Sequence, residues 1–270
     1  MARETFHTFG ATLALLTLVT LQAAAQSSLQ KPGTKPPAEG GATSGSQDLS
    51  SQATDPTAAL MSISVLGEAT TSYWDSDDSG FTMKFQPAVP FKAWGTSNVM
   101  RIVVPYQTTG PGDEGLKSVS ILDVVIVPQK WGRLAIGPVM SLAESAGSAE
   151  SKFSIGPAVG GVHSVSKRLT IGLFSQNLFA SHTAISQLQP IVAFQLGHGW
   201  AISAGDLQFT YDWKLGEWVL IPFGAQLGVV QHVGRQPFRF AVTPLWNTAH
   251  IQGADKFKII FTVALLAPAG

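Results

Sequence analysis

Apolar and polar residues alternate along the run Asp255–Pro268. One set of alternate positions is apolar throughout: Phe257, Ile259, Phe261, Val263 and Leu265. The other set is mixed and includes Lys258 and Thr262. Successive side chains of a β-strand point to opposite faces of its sheet, so this run predicts a strand with two unlike faces. A strand that has lipid on one side and a wetter lumen on the other shows this pattern.

The same period of two recurs back to about residue 60 and predicts eleven further strands. They are Ser62–Trp74, Phe81–Phe91, Val99–Tyr106, Leu116–Val127, Arg133–Leu142, Lys152–His163, Arg168–Phe179, Ile185–Leu196, Trp200–Trp213, Trp218–Val230 and Gln236–Trp246. In Leu116–Val127 the alternation places Leu122, Val124 and Ile126 on the outer face and Asp123 on the inner face.

Short connections such as Lys92–Thr96 alternate with longer polar ones such as Gln107–Gly115. Membrane barrels have short periplasmic turns and longer outer loops. The pattern therefore predicts an all-β fold, a closed antiparallel transmembrane up-and-down β-barrel of 12 strands over residues 57–268. An even number of strands leaves the first and the last residue of the barrel on the periplasmic side.

The N-terminal residues differ from the rest. Residues 1–25 have a short polar start, an apolar run and a small-residue cleavage pattern at Ala23–Ala25, which together predict a secretory signal peptide. An N-terminal membrane anchor is the alternative. Residues 26–56 are rich in Ser, Gly, Pro and Ala and predict a flexible, disordered periplasmic leader. A segment that becomes ordered when it binds a partner is the second interpretation of this stretch.

Composition supports an exported membrane protein. Charged residues make up 13% of the chain, against roughly 25% in an average soluble domain. The 17 basic and 17 acidic residues cancel, which argues against a nucleic-acid partner. Cysteine is absent, so disulfides and thiolate metal sites are excluded. We expect membrane lipid, a small-molecule solute and the barrel assembly machinery as partners, and no cofactor.

Enzyme motifs are missing from the sequence. It contains no G-x-S-x-G, P-loop or H-E-x-x-H pattern, so the prediction is a non-enzyme without catalytic or metal-binding residues. The nearest local pairing that a membrane lipase could use is His163 with Ser164 or Ser166. The predicted topology places that turn on the periplasmic side.

Polar residues on the predicted inner face are the candidate functional residues. As lumen-lining positions we predict Lys84, Arg101, Asp123, Gln189, Gln195, Gln208, Asp212, Gln226, Arg239 and Lys258. They would either form a passage that selects solutes by size and charge, or fill a narrow barrel as a structural network. Twelve strands lie between the filled eight-stranded barrels and the open porins of 16–18 strands, so both interpretations stay open.

Four runs carry a resemblance to a known family: D-P-T-A-A-L-M-S-I-S-V at Asp55–Val65, F-Q-P-A-V-P-F at Phe85–Phe91, R-I-V-V-P-Y at Arg101–Tyr106, and the spacing F-x-I-x-F-x-V-x-L at Phe257–Leu265. Together they resemble a bacterial family of transporter-like outer-membrane barrels, often mislabelled neuromedin U and grouped with proteins of phenol meta-pathway degradation. The resemblance covers about residues 55–268. It implies an outer-membrane barrel of a Gram-negative bacterium that passes small organic compounds, including aromatic or hydrophobic ones.

Three hypotheses follow from the sequence. The first is a channel or transporter for small organic compounds. The second is a structural or adhesive barrel with a filled lumen. The third is a membrane lipase with a Ser/His pair at the rim.

Overall fold

A computed structural model describes residues 46, 49–55, 57–112, 114–143, 152–181 and 183–268 of the chain. The predicted signal peptide and leader residues 26–45 lie outside the described residues. Among the described residues, no helix is long and apolar enough to cross a lipid bilayer.

The described chain is almost entirely β-structure. Its strand segments are β1 (Leu60–Tyr73), β2 (Gly80–Ala93), β3 (Thr96–Thr109), β4 (Gly115–Leu116), β5 (Val119–Gln129), β6 (Gly132–Ala143), β7 (Lys152–Ser164), β8 (Leu169–Phe179), β9 (Ala184–Gly197), β10 (Trp200–Ser203), β11 (Phe209–Asp212), β12 (Glu217–Leu220), β13 (Pro222–Gly224), β14 (Gln226–Val233), β15 (Gln236–Asn247) and β16 (Asp255–Pro268).

These segments form one closed antiparallel barrel. Each strand pairs with the next along the chain, and β16 pairs with β1, so the sheet closes on itself. Three wall strands are interrupted: β4 continues into β5, β10 into β11, and β12 through β13 into β14. Counting each interrupted strand once gives twelve wall strands, which confirms the predicted fold class.

The connections fall into two sets at opposite ends of the barrel. At one end, called the turn end here, tight turns include residues 94–95, 130–131 and 198–199. Trp94 and His198 have φ values of 49° and 54°, and each is followed by a glycine with positive φ. A two-residue hairpin turn with positive φ at both positions has a twist that matches the twist of the flanking strands. At the other end, called the loop end, connections such as 74–79 and 248–254 are longer.

Large apolar side chains cover the outer face of the wall. In β2 and β16, the predicted outer residues Phe85, Phe261 and Val263 are 42%, 54% and 44% exposed. Between them, Lys84 and Thr262 turn toward the lumen, because cross-strand partners share a face and their neighbours alternate. The period of two in the sequence therefore predicts correctly which of these side chains of β2 and β16 face outward and which face the lumen.

In β5 the predicted faces are wrong. Leu122 and Val124 are buried inside the barrel, and Asp123 lies on the outer face opposite Met100. The cause is a shift of one residue between two ladders: Tyr106 pairs with Leu116, but Val103 pairs with Ser120. One extra residue in this strand moves every later side chain to the opposite face.

The inner faces of β3 and β5–β9 form an apolar cluster. It contains Val99, Leu122, Val124, Ala135, Val139, Ala158, Val162, Phe174, Leu178 and Ile191. Small residues on β6 and β7 allow close packing here, and a Cβ added at Gly160 would lie 2.2 Å from Cδ2 of Phe174. This cluster, called the apolar wall below, is the main core of the protein.

Candidate functional site

The described residues form two cavities in the lumen that share part of their lining. The cavity toward the loop end has a volume of about 260 Å³, and the cavity toward the turn end has about 100 Å³. Leu66, Gln86, Arg101 and Asp206 line both of them. We call these four residues the waist.

A row of alternating charges lines one side of the loop-end cavity. The Glu68 carboxylate lies 2.6 Å from Lys84 Nζ and 3.4 Å from Lys258 Nζ. Lys258 Nζ also lies 2.7 Å from an Asp255 carboxylate oxygen. The side chains come from the inner faces of β2, β1 and β16, which are neighbours in the sheet. We call this row the charged wall.

Apolar side chains line another part of the same cavity. They include Leu122, Val139 and Leu178 of the apolar wall, together with Leu220 and Leu245. Neutral polar side chains such as Ser120, Gln176 and Gln208 line it as well, so the loop-end cavity presents ionic, neutral polar and hydrocarbon surfaces. A cavity lined in this way can hold a small molecule that has both a polar group and an apolar body.

Arg101 is distinctive at the waist. Its Nε is buried and has no hydrogen-bond partner. Within residues 46–268, as far as the structure describes them, its guanidinium makes no ion pair within 4.0 Å. An unpaired guanidinium in a partly desolvated position is costly unless a ligand or water satisfies its donors.

Asp206 lies at the waist, in the interruption of the wall strand between β10 and β11. The intervening residues 204–208 leave the ladder, and the backbone at Gly205 has a φ of 61°. Gln189 Nε2 donates to the Gly205 carbonyl at 3.3 Å and to the Asp206 carboxylate at 3.4 Å. The interruption changes the phase of the wall strand, because Ser203 lines the lumen before it and Gln208 lines the lumen after it.

Gln226 and Arg239 form a hydrogen-bonded group beside the turn-end cavity. Arg239 Nη2 and Ser203 Oγ both donate to Gln226 Oε1, the latter at 3.3 Å. Gln226 Nε2 donates to Thr243 Oγ1 at 3.1 Å. Arg239 is therefore satisfied by neutral oxygens rather than by a paired carboxylate.

The N-terminal residues enter the turn end of the barrel. Residues 49–53 form one short helical stretch, and Leu49 and Ala53 pack against Leu60, Val230 and Leu266 of the inner wall. Residues 52–55 and Ala58 line the turn-end cavity. We call residues 49–55 together with Thr57 and Ala58 the N-terminal segment.

Polar contacts fix the N-terminal segment to the barrel. The Arg133 guanidinium forms an ion pair with the buried Asp55 carboxylate. Arg239 Nη1 donates to the Ala53 carbonyl at 3.5 Å, and Gln195 Nε2 donates to Thr54 Oγ1 at 3.4 Å. Residues 26–56 are predicted from the sequence as a flexible periplasmic leader, whereas residues 49–55 pack inside the turn end of the barrel.

The other predicted lumen residues fall in several places. Lys84, Gln208 and Lys258 line the loop-end cavity, and Gln189, Gln226 and Arg239 line the turn-end cavity. Asp212 lies at the loop-end rim, where its carboxylate accepts the backbone amides of Lys214 and Leu215 at 2.8 and 3.1 Å. Asp123 is not a lumen residue, for the reason given for β5.

Sequence reasoning missed three parts of the site. Glu68 was not chosen as a site residue, although it lies on β1 between β2 and β16, which carry the predicted lumen residues Lys84 and Lys258. Asp255 falls at the first position of a strand, where the alternation gives little evidence of which face a side chain takes. Asp206 was not chosen either, although it has the same phase as Gln208 and Asp212 in the predicted strand Trp200–Trp213.

The described histidine contacts include one Ser–His pair, but it is not the pair predicted from the sequence. His163 Nδ1 contacts the Trp131 carbonyl, while Ser166 Oγ accepts backbone amides of its own turn, so the predicted local pairing is not formed. A different pair exists at the turn end, where Ser46 Oγ lies 3.2 Å from His232 Nδ1. Within the described residues, no group of three or more potential ligands is arranged to hold a metal ion.

Comparisons with known proteins found similarities of structure only. No protein-family profile matches the sequence, and no curated protein matches it. A KdgM porin structure is 11% identical with a TM-score of 0.45, covering 76% of this chain and 97% of that one. A second, titled KdgM porin in complex with disordered oligogalacturonate, is 10% identical with a TM-score of 0.45, covering the same shares.

A third similar structure is the outer membrane phospholipase A from Escherichia coli. It is 9% identical with a TM-score of 0.46, and the match covers 82% of this chain and 99% of that one. All three scores are below 0.5, so none of these similarities assigns a substrate or an activity to this chain. The family resemblance seen in the sequence stays a prediction.

Proposed function

We propose that this protein is an outer-membrane channel that admits small organic solutes to its lumen and passes them to the periplasm. The membrane part of the proposal is supported by the outer face of the barrel. Residues such as Leu173, Phe194 and Phe261 are 53%, 42% and 54% exposed there. A continuous apolar band around a closed barrel is the surface that lipid requires.

Tryptophans mark two levels along the barrel. Trp94, Trp131 and Trp200 are exposed at the turn end, whereas Trp213, Trp218 and Trp246 are exposed at the loop end. Amphipathic aromatic rings favour the two interfaces between membrane and water. Their separation into two groups supports a spanning orientation with the turn end in the periplasm.

The observation that carries the channel proposal is the loop-end cavity. Its volume of about 260 Å³ lies near the lower end of small-molecule pockets, which begin at about 300 Å³. The charged wall and the leucines opposite it suit a solute with one polar group and a compact apolar body. Small organic compounds, aromatic ones among them, have this character.

The N-terminal segment controls the periplasmic exit in this proposal. It occupies the turn end and is fixed by the Asp55–Arg133 ion pair and by two hydrogen bonds from the wall. A solute can leave toward the periplasm only when this segment moves. Weakening the ion pair is therefore expected to raise flux without changing the barrel wall.

The test compares flux through the purified full-length protein and its Asp55→Asn variant in liposomes and planar bilayers. We expect the variant to show several-fold more solute-driven swelling and a larger open fraction. Asp77→Asn is the matched control, because Asp77 is exposed in a loop-end connection. Reactivity of an Ala53→Cys reporter follows release of the segment directly, since the chain has no native cysteine.

A structural barrel with a filled lumen is the second candidate function. It is favoured by the small turn-end cavity and by the close packing of the apolar wall. The same measurements separate the two candidates. If folded protein passes no ion or solute, and neither Asp55→Asn nor a variant lacking residues 46–55 does so, the channel proposal is wrong.

We also propose that the protein is not an enzyme. Ser46 and His232 lie within hydrogen-bond reach, but no carboxylate within the described residues hydrogen-bonds the other nitrogen of His232, as a catalytic triad requires. The test is hydrolysis of a short-chain ester and of phospholipid by the folded protein. Activity that disappears in Ser46→Ala would overturn this part of the proposal.

A further inference from the structure

We propose that the waist binds the carboxylate of a small monoanionic organic acid through Arg101. This inference rests on the proposed function, because it names the class of solute that the lumen takes. Arg101 lines both cavities, so a ligand at its guanidinium lies at the waist that the two cavities share. The inference depends on how Arg101 differs from the other cations of the lumen.

Those other cations all have partners. Lys84 and Lys258 pair with Glu68, and Arg239 donates to Gln226 and to the Ala53 carbonyl. Lys256 lies over the rings of Trp74 and Trp246, at 4.7 and 5.7 Å from their centroids. Arg101 makes no hydrogen bond or ion pair with any residue from 46 to 268 that the structure describes, and its Nε is buried.

An unpaired guanidinium in this position favours an anion. Its planar array of donors matches a carboxylate in a two-point contact, and charge-assisted hydrogen bonds of this kind are about twice as strong as neutral ones. The partly desolvated surroundings strengthen the attraction further. A ligand carboxylate would supply the acceptor that the described residues do not.

The neighbours of Arg101 favour an organic anion over an inorganic one. Its cross-strand partners are Ala88 and Leu122, and Leu66 shares the waist with it. These side chains offer hydrocarbon beside the guanidinium, and the Gln86 amide at the waist adds a further donor. An inorganic anion would gain nothing from the hydrocarbon, whereas an aromatic or aliphatic body would bury apolar surface against it.

Asp206 restricts the charge of the ligand. Its carboxylate also lies at the waist and is held by Gln189, and no ion pair joins it to Arg101 among the described residues. A second negative group on the ligand would approach this fixed carboxylate and be repelled. The waist therefore suits one carboxylate rather than two.

The experiment measures ligand binding to the detergent-solubilised full chain by calorimetry, with benzoate, its neutral counterpart benzamide and inorganic phosphate as probes. We expect benzoate to bind at least tenfold more tightly than either of the others. Arg101→Gln should weaken benzoate binding at least tenfold and leave benzamide binding unchanged. Arg235→Gln, at an exposed position in a turn-end connection, should change neither.

Three results would overturn the inference: no benzoate binding by the unmodified chain, wild-type affinity for benzoate in Arg101→Gln, or phosphate binding as tight as benzoate binding. Should Arg101→Gln fail to fold, Arg101→Lys keeps the charge but loses the two-point contact, and we expect it to weaken benzoate binding by a smaller factor. Wild-type affinity in that folded variant would count against the two-point contact.

Solute flux separates this inference from the proposed function. If benzamide passes the Asp55→Asn channel but benzoate does not bind at Arg101, the channel stands and the inference is wrong. If benzoate binds through Arg101 but no solute passes, the inference stands and the channel proposal is wrong.

Discussion

The charged wall and the apolar wall belong to one barrel and face the same cavity, yet they are built in opposite ways. The apolar wall packs Phe174, Val139 and Leu122 over small residues and excludes water. The charged wall holds long side chains along the sheet by ion pairs, with Glu68 between Lys84 and Lys258. The apolar wall forms the packed core of the barrel. The charged wall lines the polar part of the loop-end cavity.

The difference also shows how stability and function are divided. Removing a side chain from the apolar wall creates a cavity inside a packed cluster. Removing a charge from the charged wall leaves its partners unpaired in the lumen. We therefore expect the first kind of change to affect folding most, and the second to affect both stability and ion selectivity.

The largest effect is expected for Phe174→Ala. Phe174 is 4% exposed and packs over Gly160, so its removal should cost about 3–5 kcal/mol in the free energy of unfolding. Denaturant unfolding in detergent, followed by tryptophan fluorescence, measures this cost. Phe194→Ala is the matched control, because Phe194 is 42% exposed on the outer face. Equal losses in both variants would contradict the assignment of a packed inner wall.

An intermediate effect is expected for Glu68→Gln. The change removes the carboxylate shared by Lys84 and Lys258 and should cost about 1–3 kcal/mol in unfolding free energy. It also leaves Lys84 without its carboxylate and Lys258 with Asp255 as its only ion-pair partner among the described residues, so the reversal potential should shift toward anion selectivity. Glu217→Gln, exposed at the loop end, is the control. An unchanged reversal potential in a conducting variant would place Glu68 outside the conduction path.

The smallest effect, and the one with the most informative sign, is expected for Asp123→Leu. A carboxylate on the outer face opposes contact with lipid, so its removal should stabilise the barrel by about 1 kcal/mol. By contrast, Asp212→Ala should destabilise it by a similar amount, because two loop amides lose their acceptor. If Asp123→Leu is destabilising, the carboxylate has an inner partner and the observed register of β5 is wrong.

These cases show where sequence reasoning succeeds and where it stops. In β2, β9 and β16, one set of alternate positions is apolar and the other contains lysine, glutamine or threonine. Only one choice of inner face therefore puts the polar side chains in the lumen. In β5 both phases are nearly apolar, so Asp123 decided the prediction. The extra residue before Ser120 changes the phase, and nothing in the alternation itself shows it.

Part of the site could be predicted from the sequence for the same reason. Lys84, Arg101 and Lys258 lie at inner positions of regular strands, so their facing follows from spacing. The N-terminal segment, by contrast, depends on contacts with Arg133 and Arg239, which are distant in the chain. Residues 49–55 carry too few apolar side chains to predict that they would pack anywhere.

By itself, the sequence determined the number of strands, their order and most of their faces, because a membrane barrel repeats one local rule in every strand. Tertiary structure alone decided which lumen charges are paired, which one makes no ion pair among the described residues, and which residues occupy the turn end. Those outcomes depend on closure of the barrel, which brings together strands that are far apart in the chain, and on single-residue shifts in register. The local alternation of side chains predicts neither of them.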